Sequence, residues 1–72
     1  MQFQPAALAV QKGDTVVFVN RDLVAHNVTE VSNKEWSSGD LLTDKSWKMK
    51  VAKSADYYCT IHLVMKGKLV VQ

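Results

Sequence analysis

A chain of 72 residues with 9 Lys and Arg against 7 Asp and Glu carries a formal net charge of +2, too small a charge and too dispersed a set of lysines for a nucleic-acid surface. No apolar run approaches the roughly 20 residues that span a bilayer, while 47% apolar residues are enough for one small globular domain over residues 1–72. A single cysteine excludes an internal disulfide, so a chain that buries only roughly 60% of its unfolded surface lacks the usual staple of small secreted domains, which a bound metal could supply.

No basic, apolar leader precedes Phe3, so the expectation is a chain whose signal has been removed or a fragment beginning at Met1. Gln4-Pro5-Ala6-Ala7-Leu8-Ala9-Val10-Gln11 predicts a first strand around residues 6–11, stopped by the turn signal Lys12-Gly13-Asp14. Thr15-Val16-Val17-Phe18-Val19-Asn20 is β-branched or aromatic almost throughout and predicts a central strand. A third strand is expected over His26-Asn27-Val28-Thr29-Glu30-Val31, with His26 near its beginning. Ser32 to Asp40 is rich in turn formers and reads as a loop anchored by Trp36, continued by Leu41 to Lys45.

Ser46-Trp47-Lys48-Met49-Lys50-Val51 alternates with period two, Trp47, Met49 and Val51 facing inward and the lysines outward. Lys53 to Asp56 turns into Tyr57-Tyr58-Cys59, and Lys66-Gly67-Lys68-Leu69-Val70-Val71 supplies the last strand. Short strands separated by turns, with no 3.6-residue stripe, predict an all-β antiparallel sandwich or barrel without repeats or linkers.

Between the last two strands, Cys59, His62 and Met65 set a thiolate, an imidazole and a thioether at three-residue intervals. The one other histidine, His26, lies on a separate strand candidate. Each residue alone has a bland explanation, since a lone cysteine or methionine near a strand is usually core filler. Together they form the ligand set that suits a copper ion changing between Cu(I) and Cu(II): two imidazoles, one thiolate and a weak axial thioether. The expectation is one copper per chain, with His26, Cys59, His62 and Met65 as its ligands. Four protein ligands leave no open position for substrate, which favours electron transfer over catalysis. Asn27 and Thr60, each following a ligand, are expected to hydrogen-bond between the two ligand loops, and backbone N–H groups to donate to the Cys59 sulfur.

Lys12-Gly13-Asp14-Thr15-Val16, Phe18-Val19-Asn20, His26-Asn27-Val28 and Tyr58-Cys59-Thr60-Ile61-His62 resemble, in order and over nearly the whole chain, the pattern of the cupredoxins, or type 1 blue copper proteins, which include plastocyanin, pseudoazurin and amicyanin. The two-residue gaps from Cys59 to His62 and from His62 to Met65 are similar to the amicyanin ligand loop. The resemblance implies a small antiparallel Greek-key β-sandwich and a periplasmic or otherwise extracytoplasmic electron carrier that is not an enzyme. It also implies His26, Cys59 and His62 as strong equatorial ligands, Met65 as the long axial ligand, Asn27 as a brace and the edge of His62 as the point of electron exit.

Leu23, Val24 and Ala25, with Ile61, Leu63 and Val64, are expected to form an apolar patch around His62 where a redox partner docks transiently on a monomer, with Lys66 and Lys68 steering an acidic surface. Trp36 and Trp47 read as core residues. Two other readings remain at this point: a copper storage or delivery module, or a cupredoxin domain of a larger multicopper protein. Zinc is a weaker option because a thioether is an unusual zinc ligand.

Overall fold

A computed structural model of the protein describes residues 2–72. Its strands are β1 (Ala7–Val10), β2 (Thr15–Val19), β3 (Thr29–Glu30), β4 (Ser46–Lys50), β5 (Ala55–Tyr58) and β6 (Lys66–Val71), and the described residues contain no helix. They divide into a four-stranded sheet, ordered β1-β6-β5-β3, and a two-stranded sheet of β2 and β4. Val10, Val16, Val28, Val51, Tyr57 and Leu69 form the buried cluster between them, joined by the partly buried Phe3, Leu8, Phe18, Trp36, Met49 and Val71. The expected all-β sandwich is present.

Three details differ from the sequence expectations. The β1–β6 ladder is parallel, whereas β2–β4, β3–β5 and β5–β6 are antiparallel. The chain crosses to the other sheet after β1, so β1 borders the last strand and has no hairpin partner to reverse against. Nor is β2 central. It pairs with β4 alone, and Val17 on its outer face is 56% exposed, so its β-branched run reports strand propensity and not burial on both faces. The third strand shrinks to Thr29–Glu30: His26 bridges Leu41 of the long loop outside any strand, and Thr29 bridges Ser37 of that loop as well as pairing with Tyr58.

The alternation in β4 holds: Trp47 and Met49 are half-buried, Val51 is buried, and Lys48 and Lys50 are exposed. Trp36 anchors its loop, with its ring 5.8 Å from Trp47 and 6.3 Å from Tyr57. Tyr57 is the hub of the aromatic packing, meeting Phe3 edge-on at 4.9 Å and Phe18 at 5.3 Å. Directly across the ladder from Tyr57 is Gly67, where an added Cβ would stand 2.6 Å from the tyrosine ring. Space forces glycine at that position.

Buried Glu30 organises the loop that follows it. Its carboxylate accepts hydrogen bonds from the Ser32 N–H (2.8 Å), the Ser32 hydroxyl (2.6 Å), the Asn33 N–H (2.9 Å) and the Glu35 N–H (3.2 Å). These donors, led by the Ser32 hydroxyl, outweigh burial and hold its pKa at about 2.

Candidate metal centre

The β5–β6 ladder ends at the pair Tyr58 and Lys66, and the seven residues between them, 59–65, form the loop at that end of the sheet. Its mouth is closed by the Cys59 N–H donating to the Met65 carbonyl (3.1 Å), and a turn inside it by the Met65 N–H donating to the His62 carbonyl (2.9 Å). Cys59 is thus fixed as a direct continuation of a strand and is 0% exposed. His26 arrives from the other side of the site. Its N–H donates to the Leu41 carbonyl (3.1 Å), and its carbonyl accepts from the Leu41 N–H (2.6 Å), so the backbone is held in both directions although no strand contains it.

Those two anchors bring the side chains together. Cys59 Sγ lies 3.8 Å from His26 Nδ1 and 3.8 Å from His62 Nδ1, and one ligand atom from each of the three residues lies within 4.8 Å of the others. The two imidazole rings stand 4.9 Å apart at their centroids. With metal–N and metal–S bonds of about 2.0 and about 2.3 Å at angles of about 110–120°, N and S atoms on one ion are about 3.5–3.7 Å apart. The observed spacing matches, so this cluster fits a single metal ion with little rearrangement. Met65 is buried at the closing end of the same loop.

Asn27 ties the two halves of the site to each other. Its backbone N–H donates to Cys59 Sγ at 3.4 Å. Its side-chain Oδ1 accepts from the Thr60 N–H and the Thr29 hydroxyl, both at 3.0 Å, while Nδ2 donates to Thr60 Oγ1 at 2.7 Å and to Asp40 Oδ1 at 3.3 Å. The expected contact between Asn27 and Thr60 is therefore present, doubled, and extended to Thr29 and Asp40.

The electrostatics prepare the sulfur for a metal. Burial alone would push the Cys59 thiol up, but the Asn27 N–H, the His26 ring, and the His62 N–H and ring together bring its pKa down to about 6. Thiolate is then the main form at neutral pH. For His26, burial opposes the positive charge, yet its contacts with Cys59 and Asp22 outweigh burial and raise its pKa.

Of the apolar residues predicted for a patch, Leu23 is 94% and Val64 88% exposed, Val24, Ile61 and Leu63 are also open to solvent, and Ala25 is half-buried; Ile61, Leu63 and Val64 flank the partly exposed His62 along the ligand loop. Sequence reasoning missed Asp22, whose carboxylate meets His26 Nε2 at 2.6 Å, and Ser38, which holds the Val28 N–H at 2.9 Å. The available signal for Asp22 was its place four residues before His26 in a short loop.

Comparison with known proteins agrees with this geometry. Residues 1–72 match the family of copper binding proteins described as plastocyanin/azurin. The chain is 33% identical over 78 aligned positions to amicyanin of Paracoccus denitrificans, covering 100% of this chain and 60% of that protein. To amicyanin of Paracoccus versutus it is 30% identical, covering 100% and 59%. It therefore spans about three fifths of the length of these curated relatives. A solved structure of a reduced tryptophan-to-tyrosine variant of amicyanin superposes with a TM-score of 0.91 at 29% identity, covering 100% of this chain and 74% of that one. An oxidised proline-to-alanine variant of amicyanin gives the same TM-score, identity and coverage.

Proposed function

The chain belongs to the plastocyanin/azurin family of copper-binding proteins, and from that premise we propose that it is a mononuclear type 1 copper electron carrier with His26, Cys59, His62 and Met65 as the ligands. The observation that carries the proposal is the convergence of His26, Cys59 and His62, one ligand atom from each within 4.8 Å of the others, with both Nδ1 atoms 3.8 Å from Cys59 Sγ. Copper held there supplies a one-electron Cu(I)/Cu(II) couple, for which two imidazoles, a thiolate and a weak thioether are a compromise between two preferred geometries.

The surrounding residues keep the ligand positions the same in both oxidation states. Leu41 fixes the His26 backbone, Asn27 and Thr60 fix the distance between the two ligand segments, and the Asn27 N–H shares the electron density of the Cys59 sulfur. Burial of His26, Cys59 and Met65 keeps water from the site and also argues against ready release of metal, as a delivery module would require.

His62 is the candidate ligand with an open side, so electrons pass through its edge. Leu23, Val24, Ile61, Leu63 and Val64 around it offer a small apolar contact that a redox partner can meet and leave quickly. Lys66 directly follows the ligand loop and lines one groove with Lys34 and Lys68, and in this reading these lysines steer an acidic partner surface. Residues 1–72 act as one domain in this reading, and the protein works outside the cytoplasm. Among the described residues no helix is long and apolar enough to cross a membrane.

Addition of Cu(II) to the apoprotein is expected to give an intense visible absorption from thiolate-to-copper charge transfer, abolished in Cys59→Ala. A colourless titration, or colour retained in that variant, rejects the proposal.

A further inference from the structure

The smaller sheet has two edges, and only one of them is guarded. β4 carries exposed Lys48 and Lys50, a common device against pairing with another chain. β2 carries none: Thr15-Val16-Val17-Phe18-Val19 is uncharged, free of proline and β-branched except at Phe18. Its ladder to β4 uses the even-numbered residues. At the two ends the Val51 N–H donates to the Asp14 carbonyl (2.8 Å) and the Asn20 N–H to the Lys45 carbonyl (3.0 Å), and in an antiparallel ladder bonded pairs alternate with unbonded ones. Val16 and Phe18 are thus bonded to Met49 and Trp47, while Thr15, Val17 and Val19 turn their N–H and C=O groups away from β4. Among the described residues no hydrogen bond from elsewhere in the chain reaches those groups. The unpaired edge borders a groove of about 700 Å3 that Leu8 lines from the larger sheet and Val17 and Val19 from the smaller. His26 and Met65 border the same groove, and His62 does not.

This edge is self-complementary. Laid antiparallel against a second copy in full overlap, Val17 faces Val17 of the second copy across a two-fold axis and Thr15 faces Val19 of the second copy, so that every outward N–H and C=O of the three residues finds a partner. No charged residue falls within the overlap. Just beyond it, at both ends, Asp14 comes to lie beside Arg21 of the second copy, which brings opposite charges together; within its own chain Arg21 has only an exposed contact with Asp44 at 3.1 Å. A shift of register in either direction shortens the ladder and moves Val17 off the axis. The pairing turns a sheet of two strands, marginal by itself, into one of four, and covers side chains that are 56% exposed at Val17 and 44% at Val19. We propose that the protein self-associates through β2, two copies pairing these strands about Val17, in place of the monomer expected from sequence. The second copy covers the mouth of the groove beside His26 and Met65 and leaves His62 open. No candidate metal ligand takes part in the pairing, so the proposal stands or falls independently of the copper reading.

Sedimentation of the full chain over a concentration series tests this. The wild type is expected to move with rising concentration toward a species of twice the 8.1 kDa chain mass, and the amides of Thr15, Val17 and Val19 to exchange with solvent more slowly as that species forms. Val17→Lys sets two ammonium groups against each other on the axis, and Val17→Glu two carboxylates; each is expected to weaken association about tenfold or more. Because Val17 is 56% exposed in the single chain, neither charge is forced into the core. Mixed in equal amounts, the two variants are expected to recover the dimer, since each lysine then faces a glutamate, and the recovery shows that both are folded. A wild type that keeps the mass of one chain at every concentration, single variants that associate as the wild type does, or a mixture that stays monomeric overturns the proposal. Slow exchange of the three amides in the monomer also overturns it, by placing some other segment on the β2 edge.

Discussion

Asn27→Ala tests whether the two ligand segments are held by one side chain. The substitution removes three short hydrogen bonds, at 2.7, 3.0 and 3.0 Å, and a longer one at 3.3 Å to Asp40. At about 1 kcal/mol net for each short bond, the apoprotein loses about 3 kcal/mol. That is a large share of the about 4–11 kcal/mol expected for a chain of this length, and corresponds to a fall in melting temperature of about 12–24 °C. Urea unfolding of the apoprotein, followed by the fluorescence of Trp36 and Trp47, measures the loss without any contribution from metal. A double-mutant cycle with Thr60→Ala then isolates the contact between the segments and is expected to give a coupling of about 1 kcal/mol. A loss below about 0.5 kcal/mol in the single variant, the size of an ordinary surface substitution, refutes the brace.

Gly67→Ala forces a methyl group to 2.6 Å from the Tyr57 ring and is expected to cost about 1–3 kcal/mol in the same urea assay. Glu30 has a folded-state pKa of about 2, below the 4.5 of a free side chain, so the stability it contributes is fully present above pH 4.5 and is lost as pH falls through about 2. Melts of wild type and Glu30→Gln should accordingly differ most above pH 4.5 and converge in acid; a constant difference rejects this account. Copper at 1,000 times its dissociation constant is expected to stabilise the chain by about 4 kcal/mol, and a chelator to reverse the gain, both read from the unfolding midpoint. Lys66→Glu is expected to slow oxidation of the Cu(I) protein by hexacyanoferrate(III) at low ionic strength, with the difference vanishing near 1 M salt, where the screening length is about 3 Å.

Much of this molecule was legible because its signals are local. The period-two alternation of Trp47, Met49 and Val51 depends only on which face is wet, and β4 has that pattern. Cys59 and His62 lie three positions apart on one loop, so their meeting needs no long-range knowledge; that His26 joins them was read from residue chemistry and from resemblance. Two of the three misplacements concern which strand lies beside which, and the third is the length of β3. The run from Thr15 to Val19 has the same β-branched composition whether it is central or at an edge, and nothing in Ala7–Val10 announces a parallel partner near the far end of the chain. Asp22 was missed for a related reason: its place beside His26 is set by Asn20, which draws on the carbonyls of Val24 and Leu41, and a carbonyl is the same in every residue.

The parallel ladder joins residues 7–10 to residues 68–71, so the edge strand of the larger sheet waits for the final strand to arrive. Among the described strands β1 pairs with β6 alone, and its chain neighbour β2 belongs to the other sheet, so during synthesis β1 precedes its partner by about 60 residues. The same arrival of β6 closes the mouth of the loop between Cys59 and Met65. One strand, β6, therefore both borders β1 and closes the metal-binding loop, so the edge of the larger sheet and the ligand loop share a single support.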